Sequence, residues 1–468
     1  MHVRLAFLGA ARGVTGSRYH LDVDGLSLLV DCGMYQEWQL RSRDWEPFPV
    51  SPETLDAILL THAHIDHCGL LPKLVREGFR GPIYCTSATA EIAEIMLLDS
   101  GRLQEEDAEY KKKRHEREGK KGPYPEMPLY TVDDARATIP LFSPVKYEDI
   151  VRLGNGVEAT FHNAGHVLGS AMVKVRVGTD AEQRTFVFSG DIGRWNKPIL
   201  NDPTLFDQAD YVVMESTYGD RLLERPEDMA DALAEVINAT VKARGNIVIP
   251  TFALERAQEV LYYLSKLLLE DRIPHIMVFL DSPMAVAVTD VFEHHPELFD
   301  QEMIRCMEEK KSPFDFPGLN LVKTVEESKA INQISGTVII MAGSGMCTGG
   351  RIKHHLVNNI SNSRNTILFV GYQAVGTLGR QIVDGARKVR ILGKQYPVKA
   401  KVVQLNGFSA HADRDELIKW LVGFKKPPRR LFVTHGESST SEHFADLVRQ
   451  RMRWEVVVPE YQDTAFLD

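Results

Sequence analysis

The stretch that decides the fold is Ala57-Ile58-Leu59-Leu60-Thr61-His62-Ala63-His64-Ile65-Asp66-His67. Its first four residues have the length and apolar character of a buried strand, and its polar residues occupy the loop into the next helix. Alternate residues of such a loop can point to one side, so His62 and His64 converge on one ion. Asp66 and His67 lie a step further along and can face a second ion. This mixture of imidazole and carboxylate donors favours zinc.

Composition places the rest of the chain among globular proteins of several domains. The 468 residues are 44% hydrophobic and 25% charged, which is ordinary globular usage. The formal net charge is −9, from 55 Lys plus Arg against 64 Asp plus Glu. A protein that coats nucleic acid through a general positive charge is therefore excluded, and any contact with nucleic acid has to be local.

The cysteines and the apolar runs bear on where the protein works. The five cysteines form no C-x-x-C pair, which argues against a disulfide framework or a cysteine zinc ribbon and predicts a reducing, cytoplasmic location. The amino-terminal residues lack the long apolar core of a signal peptide. No apolar run approaches about 18 residues, so we expect no membrane span and no membrane partner.

Six further motifs resemble this stretch, because each has a His, Asp or Glu at or near the end of an apolar strand. They are Asp31 after Leu28-Leu29-Val30, His166 in Ala-Gly-His-Val-Leu-Gly-Ser, Asp191 in Phe-Ser-Gly-Asp-Ile-Gly, Glu215 in Met-Glu-Ser-Thr-Tyr-Gly, His411 in Phe-Ser-Ala-His-Ala-Asp and His435 in Val-Thr-His-Gly-Glu. Together with the histidine-rich stretch, and in this order, they resemble the metallo-β-lactamase fold and specifically its β-CASP branch of nucleases. The resemblance runs from residue 7 to residue 437, without a departure at any ligand position.

The resemblance implies a binuclear zinc site with two Zn²⁺ per chain. One ion would be held by His62, His64 and His166, and the other by Asp66, His67 and His435, with Asp191 bridging both and Asp66 counted among the catalytic residues. Asp31 would orient a ligand or the motif loop from behind. Two such ions can share a hydroxide that attacks a phosphodiester.

The leaving oxygen of a phosphodiester needs a proton, and the resemblance implies that His411 supplies it. Glu215 would hold the other ring nitrogen and keep the imidazole positively charged. The structural alternative for Glu215 is a strand-end residue that caps Thr217 or the next helix.

Glycine-rich turns and basic segments are the candidates for contacting the substrate. Gly343-Ser-Gly345 and Gly376-Thr-Leu-Gly-Arg380 each follow an apolar strand, where backbone N–H groups can bind phosphate, although such glycines are usually only turns. From these motifs we predict phosphate contacts at Arg380, Thr377, Ser409 and Gly345. Residues 380–401 carry seven Lys or Arg against Asp384 alone, which suggests a phosphate-facing role. The basic segment 111–121 is instead predicted to be a solvated helix or lid.

The predicted fold class is α/β, with two domains built from a discontinuous chain. Residues 1–208 and 395–468 would form an αββα metallo-β-lactamase sandwich. Residues 209–394, where short apolar strands alternate with helical periodicity, would form an inserted α/β β-CASP cap with a mainly parallel sheet.

The predicted function is a zinc-dependent ribonuclease that hydrolyses phosphodiester bonds of single-stranded RNA, mainly endonucleolytically, with exonuclease activity left open. In the β-CASP branch that these motifs resemble, a histidine at the position of His435 is typical of RNA-cleaving members. Two alternatives are a small-molecule metallohydrolase and a non-cleaving scaffold subunit of an RNA-processing complex. Assembly as a homo-oligomer or within an RNA-processing complex is left open.

Overall fold

The computed structural model describes residues 2–119, 124–178, 182–225, 228–309, 311–374 and 376–467. The chain forms two compact units. Unit 1 comprises Met1–Trp195, Asp202–Leu222 and His411–Asp468, and unit 2 comprises Asn196–Asn201 and Leu223–Ala410. The domain boundaries expected at 208 and 395 stay predictions.

The regular elements of the described residues have the following bounds. The strands are β1 (Val3–Phe7), β2 (Tyr19–Val23), β3 (Leu26–Val30), β4 (Ala57–Leu59), β5 (Ile83–Thr86), β6 (Phe142–Val145), β7 (Val151–Gly154), β8 (Val157–Asn163), β9 (Ala171–Val177), β10 (Arg184–Phe188), β11 (Tyr211–Glu215), β12 (Ile247–Pro250), β13 (Met277–Leu280), β14 (Leu319–Leu321), β15 (Val338–Ala342), β16 (Thr366–Phe369), β17 (Lys388–Ile391), β18 (Lys394–Pro397), β19 (Lys401–Gln404), β20 (Arg430–Thr434), β21 (Val456–Val457) and β22 (Thr464–Leu467). The α-helices are α1 (Ile65–Cys68), α2 (Leu71–Arg76), α3 (Ser87–Glu118), α4 (Val132–Thr138), α5 (Met229–Lys242), α6 (Arg256–Leu269), α7 (Pro283–His294), α8 (Gln301–Glu308), α9 (Val325–Ala330), α10 (Ile352–Asn359), α11 (Leu378–Val383), α12 (Arg414–Val422) and α13 (Ser438–Met452).

Unit 1 is a sandwich of two mixed sheets. Their strand orders are β22-β1-β2-β3-β4-β5-β6 and β21-β20-β11-β10-β9-β8-β7. Apolar side chains from both sheets, including Leu5, Val30, Phe161 and Phe188, form one buried core between them. A second core joins the outer face of the β11 sheet to α12 and α13, and α3 lies against β5 and β6. The layer order is the predicted αββα, which confirms the fold class.

The carboxyl ends of parallel strands collect the polar motifs of unit 1. In the second sheet β10, β11 and β20 are neighbours and run parallel, with Glu215 opposite Thr434. Asp191 therefore follows one strand, Glu215 ends the next and His435 follows the third. In the first sheet β3 and β4 are parallel, so Asp31 and the histidine loop also emerge side by side. Parallel pairing thus converts residues that are distant in sequence into neighbours.

Unit 2 contains a sheet of order β14-β13-β15-β12-β16-β19 and a separate hairpin of β17 and β18. Every described pairing within the larger sheet is parallel, as the alternation of apolar strands and helices predicts. Strands such as β12 and β15 are buried along their whole length, which is the expected pattern for strands covered on both faces. None of the described helices combines the length and the apolar character needed to cross a membrane.

One buried carboxyl group of unit 1 makes the stability dependent on pH. Asp44 is only 2% exposed and accepts hydrogen bonds from the backbone N–H of Tyr35 at 3.1 and 3.2 Å. Desolvation raises the pKa of Asp44 from 3.8 to about 7, even though Arg18 and Lys73 oppose the rise. Between these two values the folded chain holds a proton that the unfolded chain has released.

We therefore expect this group's contribution to the free energy of unfolding to fall as the pH rises from about 4 to about 7, by up to ~1.4 kcal/mol per pH unit. The variant Asp44→Asn carries no charge to bury, so its stability relative to the parent should increase over the same range. Urea unfolding of both metal-loaded proteins across this range measures that difference. A difference that does not change with pH would contradict the assignment.

Candidate metal centre

The structure brings the residues predicted as metal ligands into two adjacent groups within unit 1. In each group the donor atoms lie within 4.8 Å of one another. The first group is His62, His64, His166 and Asp191, and the second is Asp66, His67 and His435.

The first group presents three imidazole nitrogens to one point. His64 Nδ1 lies 3.1 Å from His62 Nε2 and 3.2 Å from His166 Nε2. Desolvation lowers the pKa of His62 to about 3 and that of His64 to about 4. It also holds the pKa of His166 well below the usual value. These rings are therefore neutral at physiological pH, which is the form of imidazole that binds metal ions.

The second group pairs two ring nitrogens with a carboxylate. His67 Nε2 and His435 Nε2 are 3.1 Å apart, and His435 Nε2 lies 3.6 Å from Asp66 Oδ2. Desolvation lowers the pKa of His67, but the charges of Asp191 and Asp31 outweigh it, so that the pKa lies well above the usual value. A divalent cation can compensate the same carboxylates, so its binding here would displace a proton.

Asp191 connects the two groups because each of its oxygens faces a different one. Its Oδ2 lies 3.4 Å from both His62 Nε2 and His166 Nε2. Its Oδ1 lies 3.3 Å from His67 Nε2 and 3.6 Å from His435 Nε2. Oδ1 is buried and has no hydrogen-bond partner among the described residues. A buried carboxylate oxygen without a partner is costly unless a cation compensates it, so the arrangement fits a divalent metal on each side of Asp191.

A second ring of polar groups orients the imidazoles. Asp31 accepts hydrogen bonds from His67 Nδ1 at 2.7 Å and from the backbone N–H and hydroxyl of Thr61, each at 2.8 Å. The Thr61 hydroxyl also lies 3.1 Å from His62 Nδ1. With Nδ1 engaged, the rings of His62 and His67 direct Nε2 toward the centre. Asp31 therefore lies behind the ring of His67, and its role in orienting a metal ligand stays a prediction.

Two threonines in this ring are missing from the predicted site residues. Besides Thr61, the hydroxyl of Thr217 lies 3.1 Å from His435 Nδ1. Thr61 directly precedes His62 and Thr217 lies two residues after Glu215, inside the same motifs, which is the one signal in the sequence that points to them. A hydroxyl beside a motif is too common to be assigned a role without the fold.

Buried Glu215 and partly exposed His411 form a pair next to the metal groups. His411 Nδ1 lies 3.1 Å from Glu215 Oε1, and its backbone forms an antiparallel bridge with Gly193. Glu215 also accepts the backbone N–H groups of Ile192 at 2.7 Å and Thr217 at 3.2 Å. The capping alternative for Glu215 and its contact with His411 are therefore both present. Desolvation lowers the pKa of His411, but Glu215 and Asp191 outweigh it and raise the pKa to about 9.

The four predicted substrate contacts all lie in unit 2, and each has a local structural partner. The carbonyl of Gly345 accepts a hydrogen bond from Gln373 Nε2 at 3.0 Å. Thr377 caps α11 by accepting the backbone N–H of Arg380 at 3.1 Å. The remaining contacts are those of Arg380 Nε with Asp384 at 2.8 Å and of the Ser409 carbonyl with Lys197 Nζ at 3.1 Å. A role for these four residues in phosphate binding stays a prediction.

Comparison with protein-family models places this geometry in a known context. Residues 20–217 match the "Metallo-beta-lactamase superfamily domain", and residues 257–382 match the "Beta-Casp domain". Residues 395–459 match the "Zn-dependent metallo-hydrolase RNA specificity domain". The residues of the two metal groups fall within the first and third matches.

Named proteins and a solved structure show similarity over nearly the whole chain. "Ribonuclease TTHA0252" from Thermus thermophilus is 40% identical over 435 residues, which cover 93% of each chain. "Transcription termination factor FttA" from Methanocaldococcus jannaschii is 32% identical, covering 98% of this chain and 70% of that protein. A crystal structure of a protein of unknown function from Enterococcus faecalis V583 aligns with a TM-score of 0.57 at 12% identity, covering 100% of both chains. That last similarity shows the fold alone.

Removing the divalent metal should destabilise unit 1. Buried Asp191 and partly exposed Asp66 would lose the charge that compensates them. A ligand that binds only the folded state also stabilises it by mass action. We expect the melting temperature to fall by several degrees after chelation and to recover when a divalent metal is restored. Differential scanning calorimetry, with metal content measured on the same samples, tests this. The variant Asp191→Ala should respond much less to the chelator, and an unchanged melting temperature of metal-free parent protein would contradict the prediction.

Proposed function

This chain belongs to the β-CASP family of the metallo-β-lactamase superfamily, and from that membership we propose that it is a zinc-dependent ribonuclease that cleaves single-stranded RNA internally. The observation that carries the proposal is the position of Asp191, whose two oxygens face two separate groups of metal-binding side chains. A binuclear site of this kind, next to a proton-donating pair, suits phosphodiester hydrolysis. The match to an RNA specificity domain and the ribonuclease among the relatives support RNA as the substrate.

Each of the two groups of metal-binding side chains would hold one metal ion. His62, His64 and His166 would hold one zinc ion, Asp66, His67 and His435 would hold the other, and Asp191 would contact both. Imidazole and carboxylate donors without a thiolate suit zinc, with manganese and iron as the ions that compete for such a site. When bound, such ions supply Lewis acidity, which activates water and neutralises charge on the phosphoryl oxygens.

Two side chains of the protein, Glu215 and His411, would carry out the proton transfer. Glu215 accepts a hydrogen bond from His411 Nδ1, so that Nε2 is the ring atom left to deliver a proton. The negative charges of Glu215 and Asp191, which raise the pKa of His411 to about 9, keep the ring protonated at neutral pH. His411 would thus protonate the leaving oxygen, and Glu215 would hold the ring in position and favour its charged form. The backbone N–H groups of Ile192 and Thr217 fix Glu215 in turn.

Two labelled substrates of the same sequence, one RNA and one DNA, test the proposed function. We expect the zinc-loaded protein to cleave the RNA, to cleave the DNA more slowly, and to lose both activities when a chelator is added. Circular RNA of the same sequence has no ends, so its cleavage tests the internal mode directly. RNA left intact by the zinc-loaded protein would contradict the proposal. Cleavage of linear but not circular RNA would contradict the internal mode alone.

Replacing His411 with alanine should separate catalysis from metal binding. We expect a loss of roughly 10²–10⁴-fold in the rate of RNA cleavage, which is the usual contribution of a general acid. Zinc content, measured by elemental analysis, should stay at two ions per chain. The matched variant Glu215→Gln keeps the shape of the side chain and removes its charge, so it should lower the rate by weakening the protonation of His411. Loss of a zinc ion from His411→Ala would make His411 a ligand and overturn the assignment.

A further inference from the structure

A short antiparallel hairpin in unit 2 carries the basic segment identified in the sequence. Its strands β17 and β18 pair with Val389 opposite Tyr396 and Ile391 opposite Lys394. Val389 and Ile391 are each 1% exposed and belong to the core that also contains residues of α10 and α11. The hairpin is therefore anchored by every second residue of β17, and the residues between them face away from that core.

Exposed positive charge surrounds this hairpin: Lys388 and Arg390 face away from the core, and Lys394 lies opposite Ile391, on the other face and next to the turn. The exposed cationic residues are Arg387, Lys388, Arg390, Lys394, Lys399 and Lys401. We call this set the basic hairpin surface. In the part of the chain that the structure describes, no carboxylate lies within ion-pair distance of any of them, and the nearby Asp384 pairs with Arg380. Six unneutralised cations within 15 positions form a concentrated positive potential in a chain whose net charge is −9.

The other basic segment of the sequence differs in this respect. On α3, Lys111 lies 2.5 Å from Asp107 and Lys113 lies 2.5 Å from Glu109, while Arg114 lies 3.9 Å from Glu118. These (i, i+4) pairs cancel most of the local charge, as expected for a solvated helix. Lys120 and Lys121 of the predicted 111–121 segment lie outside the described residues. The structure thus distinguishes two segments that look similarly basic in sequence.

We propose that the basic hairpin surface binds the phosphate backbone of single-stranded RNA, as a docking site separate from the metal groups of unit 1. The inference rests on the proposed function, because it assigns this surface to the same substrate. Lys388 and Arg390 are two positions apart on one strand and so about 6.8 Å apart along it, a spacing that suits successive phosphates of an extended strand. This contact recognises the negative charge of the phosphates and not the bases, so it adds affinity without sequence preference.

An acidic protein is the competing occupant, and the composition of the surface argues against it. Protein interfaces have an apolar or aromatic centre and are depleted in lysine. Here the exposed residues around the β17–β18 turn are Leu392, Gly393, Lys394 and Gln395, so a single apolar side chain stands among polar ones. A polyanion whose charge is regularly spaced fits this surface better.

The experiment compares two variants that remove the same charges at different places. The hairpin variant combines Lys388→Gln, Arg390→Gln and Lys394→Gln, and the matched control combines Lys111→Gln, Lys113→Gln and Arg114→Gln. Each removes two lysines and one arginine, so the net charge of the two proteins is identical. Binding of labelled oligouridine is measured by fluorescence anisotropy at several salt concentrations, with the zinc-loaded proteins carrying His411→Ala to prevent cleavage.

We expect the hairpin variant to bind oligouridine ~10–100-fold more weakly at moderate salt, and its plot of log affinity against log salt to be shallower by about 2. The control should match the parent in both respects. A third variant, Lys388→Arg with Lys394→Arg, keeps the charge and should keep the parent affinity. In the cleaving protein the hairpin substitutions should act mainly on KM.

Several results would overturn the inference. Equal losses of RNA affinity in the hairpin variant and the control would show that only the net charge of the protein matters. Unchanged RNA affinity in the hairpin variant would exclude RNA from this surface. Unchanged RNA affinity with lost binding of polyglutamate would assign the surface to an acidic protein instead. In each of these cases RNA cleavage by the parent persists, so the proposed function stands. A parent protein that neither binds nor cleaves RNA would refute the proposed function itself.

Discussion

Burying carboxylates among imidazoles is the constraint on which the architecture of unit 1 depends. Asp191 is buried and Asp66 is only partly exposed, and Asp191 Oδ1 has no hydrogen-bond partner among the described residues. Such a cluster is stable only if cations compensate it and if every ring is held in one orientation. The hydroxyls of Thr61 and Thr217 and the carboxylate of Asp31 provide that orientation for the rings of His62, His435 and His67.

The sandwich supplies the rigid frame that this cluster needs. Both sheets place the carboxyl ends of parallel strands at the same edge, and the motif residues leave the sheets there. The strands themselves are continuous apolar runs, so the core holds the polar residues at their ends in position. The pair of Glu215 and His411 uses the same frame, because Glu215 is the last residue of β11 and His411 bridges to Gly193. A single set of strands therefore positions both the two groups of metal-binding side chains and the Glu215–His411 pair.

Much of the fold and of the candidate site was predictable from the sequence because the informative signals are local. An apolar run followed by alternating histidines identifies a strand and a metal-binding loop, and regular alternation of strands and helices identifies a parallel sheet. The double role of Glu215 was not predictable, because capping and contact with His411 looked like alternatives until the fold showed both. The difference between the two basic segments was also hidden, since it depends on which carboxylates reach which cations. The ion pair of Arg380 with Asp384 is likewise visible only in the structure, and a phosphate contact at Arg380 stays a prediction.

The sequence by itself determined the chemical types of the donors, their order along the chain, the family they indicate and the class of fold. Only the tertiary structure decided that Asp191 lies between the two groups with one oxygen toward each, and that Asp31, Thr61 and Thr217 stand behind the rings. The reason is physical: residue types and strand propensities are local properties of the chain. Which atoms share a desolvated volume depends instead on strand pairings between segments hundreds of residues apart, such as β11 with β20.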